Sequence, residues 1–218
     1  MLFSDTYLTI QAPQQIIFKD KGSKFLAFVF PVENDKHIKE CLTQLKKEHP
    51  TANHHCYAYI LGADKANTRA NDDGEPSYTA GKPILGQIQS NDLTNVLIVV
   101  VRYFGGTLLG VSGLISAHKT SAADVIKSST IIEKQILFKY AIHFPFEQLN
   151  EVMKLLKQLD CKIHEQHFDT SCSITFSIAN HIKKFKKHTF LKTYQKLVYL
   201  CKINNHGTKY IYSNWRIL

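Results

Sequence analysis

Arg102 follows the most apolar run of the sequence, Leu97-Ile98-Val99-Val100-Val101, and is itself followed by Gly105, Gly106, Gly110 and Gly113. Glycines let a backbone take positive φ and approach a ligand closely, and a helix starting there offers unpaired N–H donors to an anion. A guanidinium beside them can hold a phosphate through two parallel hydrogen bonds. These five residues are the candidate anion- or nucleotide-binding set. Their spacing matches neither G-x-G-x-x-G nor G-x-x-x-x-G-K-[ST], so no known nucleotide fingerprint is present. A tight turn with close helix–sheet packing would use the same glycines without any ligand.

The segment Asp72-Asp73-Gly74-Glu75 offers carboxylate oxygens to a hard cation. It lacks the further carboxylates of a calcium loop, and Asp-Gly is itself a turn signal. His54 and His55 suggest zinc, but neighbours on a strand point to opposite faces, so both reach one ion only where the chain is irregular; one of them beside the acidic loop as a general base is the alternative. No Ser–His–Asp or Cys–His arrangement stands out, so no catalytic residue is assigned. The five cysteines, Cys41, Cys56, Cys161, Cys172 and Cys201, form an odd and scattered set without C-x-x-C. That pattern suits reduced thiols in a cytoplasmic protein. No metal and no cofactor are expected.

Lys183, Lys184, Lys186 and Lys187 flank Phe185 in the densest charge run. Residues 138–218 carry 13 Lys and Arg against 5 Asp and Glu, whereas residues 1–137 carry 14 against 13. Nearly all of the formal net charge of +9 therefore sits in the last third. Such a surface attracts phosphate backbones by releasing their counterions. Lysine outnumbers arginine there by 12 to 1, which favours loose electrostatic contact over bidentate base reading. The four lysines are the candidate nucleic-acid contact; a solvated, solubilising face is the alternative.

The elements that must carry these residues follow from pattern. Ile16–Phe18 and Lys24–Phe30 read as strands, and Asn34 caps a helix to about Glu48 whose inner face is Ile38, Cys41, Leu42 and Leu45. Cys56–Leu61 is a strand, a polar stretch runs to Tyr78, and a short helix covers about Ala80 to Gln89. Leu97–Val101 belongs in the middle of a sheet, covered on both faces. The helix after Gly113 reaches about Lys127, with Leu114, Ala117, Ser121 and Val125 inward. This first part is α/β.

The second part reads β-α-β-β-α-β. Its strands are Phe138–Phe144, Cys161–His167, Ser171–Ile178 and an extended segment around Leu197–Ile203. Its helices begin near Pro145, in the first turn, and near Asn180. Composition and charge shift together between Thr130 and Phe138, so two domains are expected, 1–134 and 138–218. No 18-residue apolar run crosses a membrane, and the first residues show no basic and apolar leader.

Two segments carry a family resemblance. One is His54-His55-Cys56-Tyr57-Ala58 with Asp72-Asp73-Gly74-Glu75-Pro76 and Thr79-Ala80-Gly81-Lys82-Pro83-Ile84-Leu85; the other is Val99-Val100-Val101-Arg102-Tyr103-Phe104-Gly105-Gly106-Thr107-Leu108-Leu109-Gly110-Val111-Ser112-Gly113-Leu114. Together they resemble the IMPACT family in its bacterial YigZ-like branch. The resemblance implies a two-layer α/β N-terminal domain like the second domain of the fifth small-subunit ribosomal protein. It implies a ferredoxin-like C-terminal domain similar to one of elongation factor G. It also marks His54, His55, Asp72, Asp73, Glu75 and Lys82 as a family-motif surface, and likens the glycine turn to the phosphate loop of small-molecule kinases. The function expected is a non-enzymatic, cytoplasmic protein that binds RNA or the ribosome and modulates translation, with a protein partner there as a further expectation. A nucleotide- or phosphometabolite-binding enzyme using Arg102–Gly113 is the alternative, and a protein-interaction module another.

Overall fold

A computed structural model describes residues 5–158, 161–169, 171–179, 199–203 and 209–211. The chain divides into two compact units, one spanning Thr6–Lys134 and the other running from Gln135 onward and taking in Asp5.

The first unit is built on β2 (Gln14–Asp20), β3 (Ser23–Pro31), β4 (His54–Leu61), β5 (Asn67–Asn71) and β6 (Val96–Tyr103). They form one antiparallel sheet in the order β2-β3-β6-β4-β5. β6 lies at its centre, and Val96 through Val101 are buried without a break. The strand period of two sends Val96, Ile98 and Val100 to one face and Leu97, Val99 and Val101 to the other. Both faces are covered. Helices α2 (Gly81–Ser90) and α3 (Gly110–Lys127) pack Ile84, Ile88, Leu114, Ala117, Ala122 and Val125 on the first. Helix α1 (Asp35–Glu48) packs Ile38, Cys41 and Leu45 on the second.

The expectation of two layers is thereby corrected to three, because α1 has an apolar stripe of its own and must bury it. Each such aliphatic side chain, fully buried, contributes about 1.5–3 kcal/mol. α1 begins where Asn34 accepts the His37 N–H at 2.9 Å, and ends at His49, ahead of Pro50. A small ladder of β1 (Thr6–Ile10) and β7 (Ile131–Gln135) completes the unit. The segment Thr130–Phe138, where the domain boundary is expected, thus holds a paired strand.

In the second unit β8 (Leu137–Pro145) is followed by a 3₁₀ turn (Phe146–Gln148) and α4 (Leu149–Gln158). Pro145 is the last residue of β8 rather than part of a helical first turn, since its ψ of 152° is extended. β9 (Lys162–His167), β10 (Ser171–Ala179), β11 (Tyr199–Ile203) and β12 (Lys209–Ile211) join β8 in the order β12-β11-β8-β10-β9. All described pairings are antiparallel, so β8-α4-β9 is a parallel β-α-β unit split by β10. Tyr140, Ile142, Phe144, Val152, Leu156, Ile174 and Phe176 form its core. The expected helix from Asn180, and with it Lys183, Lys184, Lys186 and Lys187, lies outside the described residues.

Candidate functional site

The site forms where β4, β6 and α3 meet the loop from Asn71 to Ala80. His54 and Arg102 are register partners on neighbouring strands, and Cys56 is two residues on from His54. All three belong to the face of the sheet that α3 covers, which is the face of Cys56, Ala58, Ile98 and Val100. His118, on α3, is fully buried against that face, its ring 5.3 Å edge-on from Phe25.

The acidic loop delivers Glu75 into this group. Arg102 Nη1 donates to Glu75 Oε1 at 2.7 Å, and both side chains are buried. His118 Nε2 lies 3.5 Å and His54 Nε2 4.0 Å from the same oxygen. Burial alone would raise the Glu75 pKa. The His118 and Arg102 contacts outweigh it and hold the carboxyl below its ordinary value. His118 moves below the ordinary imidazole value because burial disfavours its cation more than Glu75 favours it. Neither His118 nitrogen has a hydrogen-bond partner of good geometry, and Arg102 Nε has none. Cys56 Sγ donates to the Asp72 carbonyl at 3.0 Å. Cys56, Glu75 and His118 each offer a ligand atom within 4.8 Å of the others.

Asp72 and Asp73 hold the loop itself. Asp72 accepts backbone N–H bonds from Tyr78, Ala80 and Gly81 at 2.9, 3.0 and 2.8 Å, so its carboxylate occupies the N-terminus of α2. Burial raises its pKa, but these three donors prevail and lower it. Asp73 turns to the other side of the sheet. It accepts the His55 backbone N–H at 2.7 Å and faces Lys46 Nζ at 3.6 Å and His55 Nδ1 at 3.8 Å. Its own carbonyl meets His54 Nδ1 at 2.9 Å. The two histidines thus diverge, as strand geometry requires. Lys82 stays outside, its ammonium 3.8 Å from the centre of the exposed Tyr78 ring.

The glycine turn departs from the expected arrangement. Arg102 points its guanidinium at Glu75, between the rings of Phe25 and Phe104 at 5.6 and 5.7 Å, so its charge is met by a carboxylate. The Phe104 and Gly105 amides donate to Asn53 Oδ1 and Ser23 Oγ at 2.8 and 3.3 Å. Gly105 is pressed against the Gly22 backbone, where a Cβ would overlap it. Gly106 has φ of +85° with open space around it, and Gly110 and Gly113 lie in the first turn of α3. An anion here would rely on the remaining backbone amides. Sequence reasoning missed His118. Its signal was a histidine within the Leu114, Ala117, Ser121, Val125 stripe, a polar side chain on a face that must be buried.

These features define a two-unit α/β protein whose first unit encloses an acid between an arginine and a histidine. The family signature described as the Impact N-terminal domain matches residues 21–126, a span that takes in every side chain of the cluster. The chain is 34% identical over 161 residues to IMPACT family member YigZ of Escherichia coli, covering 73% of this chain and 79% of that one. It is 32% identical over 190 residues to an IMPACT family member of Haemophilus influenzae, covering 84% and 91%. A solved structure titled as that of a hypothetical protein matches with a TM-score of 0.74 and 28% identity, over 93% of this chain and 99% of that chain. The chain belongs to the IMPACT family.

Proposed function

We propose that this protein is a non-enzymatic, cytoplasmic RNA-binding protein that meets RNA, free or within the ribosome, and so modulates translation. The observation that carries the reading is the placement of charge: 13 basic against 5 acidic residues from 138 onward. α4 buries Val152 and Leu156 and turns Lys154 and Lys157 to solvent, and Lys162 at the start of β9 is exposed too. Arg102, the candidate phosphate-binding arginine of the first unit, is neutralised internally by Glu75. Long-range attraction for a polyanion therefore belongs to the second unit. Likeness of the two units to domains of the fifth small-subunit ribosomal protein and of elongation factor G is part of this reading.

Fluorescence anisotropy of the full chain with labelled short RNAs over a salt series tests it. Saturable binding that weakens steeply with salt is expected. Failure to bind at low salt overturns the reading, as does turnover of nucleoside triphosphates lost in Arg102→Lys. A second reading, a protein-interaction module, draws on the exposure of Phe104, Leu108, Val111 and Ile115 along the glycine turn and the start of α3.

A further inference from the structure

We propose that Cys56, Glu75 and His118 form a binding site for one divalent cation of borderline softness, with Zn²⁺ as the fitting ion. Three residues of three ligand types converge from β4, the acidic loop and α3, all of them buried. Thiolate, imidazole and carboxylate together select Zn²⁺ over the hard cations that an all-oxygen set would take. Bonds of the usual lengths set ligand atoms roughly 3.5 Å apart around a tetrahedral ion. The three ligand atoms now lie within 4.8 Å of one another, and binding would draw them to that spacing.

A further observation points to a cation. His118 is fully buried, yet neither ring nitrogen makes a hydrogen bond, while Nε2 faces Glu75 Oε1 at 3.5 Å. Buried polar nitrogens are otherwise nearly always paired, so this ring lacks a partner that an ion would supply. His54 faces the same oxygen from the rim: its Nδ1 donates to the Asp73 carbonyl at 2.9 Å, and its Nε2 lies 4.0 Å from Glu75 Oε1.

The surroundings suit the ion. Arg102 bonds Glu75 Oε1 from outside, as an outer-shell donor that fixes a ligating carboxylate does. On binding, the Cys56 S–H bond breaks, its proton leaves to water, and a sulfur–metal bond forms. The thiolate formed and the Glu75 carboxylate supply the negative charge that meets the ion.

Titration of the metal-free full chain with Co²⁺, a spectroscopic stand-in for Zn²⁺, tests the site. One equivalent should bind with a thiolate-to-cobalt charge-transfer band, and Zn²⁺ should displace it and raise the melting temperature. Cys56→Ser should abolish the band and weaken binding at least tenfold. Cys41→Ser, on the opposite face of the sheet, should change neither. X-ray absorption of the wild-type Co²⁺ protein should count one sulfur ligand, a readout independent of how the variants fold. No uptake from micromolar Co²⁺ by folded protein, a band that survives in Cys56→Ser, or a sulfur count other than one overturns the proposal.

Discussion

Glu75 has a side chain 2% exposed and stays ionised because Arg102 sits 2.7 Å away. Removing one partner of such a pair strands the other charge in a medium that cannot solvate it. Glu75→Gln should therefore destabilise the protein by about 3–5 kcal/mol in urea unfolding. The double variant Glu75→Gln with Arg102→Met should recover much of that loss, because an apolar pair avoids the desolvation cost altogether. A double variant as damaged as the sum of the singles would show that the pair is not coupled. Asp72 gives a pH dependence of definite sign. Its folded pKa lies below the unfolded value of about 3.9, so its stabilisation is complete above that pH. It is lost as pH falls through the lower, folded value. Asp72→Asn should flatten the acid limb of a melting-temperature profile, and Asp72→Ala should cost about 0.5–2 kcal/mol at neutral pH through the lost α2 cap. An acid limb of unchanged steepness in Asp72→Asn would remove Asp72 from this account.

Among the elements, the turn between β6 and α3 separates two uses of glycine. Gly105 needs the absence of a Cβ because the β2–β3 turn at Gly22 lies against it. Gly106 needs only a positive φ, in open space. Gly106→Ala should cost about 1–2 kcal/mol, the ordinary strain of a left-handed residue. Gly105→Ala should cost more, because a backbone must move, and denaturant melts of the two variants should rank them in that order. The same contrast explains what the sequence made legible. β6 could be read because an unbroken apolar run fits only a strand covered on both faces, and α1 because Asn34, its apolar stripe and Pro50 agree on both ends. β5 could not, because Asn67–Asn71 is a polar strand at a sheet edge with no apolar alternation to announce it. β1 and β7 are short strands whose pairing spans more than a hundred residues of sequence. Around Glu75 the motif residues were visible, but their partners were not. Arg102 was read as facing a ligand because nothing local reveals that a loop 27 residues earlier in the chain folds back to neutralise it. His118 was hidden inside an apolar stripe for the same reason.

At the scale of the whole molecule, charge and fold are distributed differently, and that difference can be measured. The first unit carries the motif cluster and is almost neutral; the excess positive charge lies beyond it. If the second unit holds RNA by its phosphates, affinity should fall linearly with the logarithm of salt, because each neutralised phosphate releases condensed counterions. Each phosphate contact adds ~0.9 to that slope on B-DNA. Replacing Lys183, Lys184, Lys186 and Lys187 together by Ala should therefore flatten the slope by about 3–4 if all four touch backbone. Discrimination between RNA sequences should barely change, since phosphate contacts carry no sequence information. Glu75→Gln supplies the control, because it alters the first unit without removing a lysine, and folded Glu75→Gln should keep the wild-type slope. An unchanged slope in the quadruple variant would make these lysines a solvated face. A slope lost in Glu75→Gln as well would move the RNA contact to the first unit.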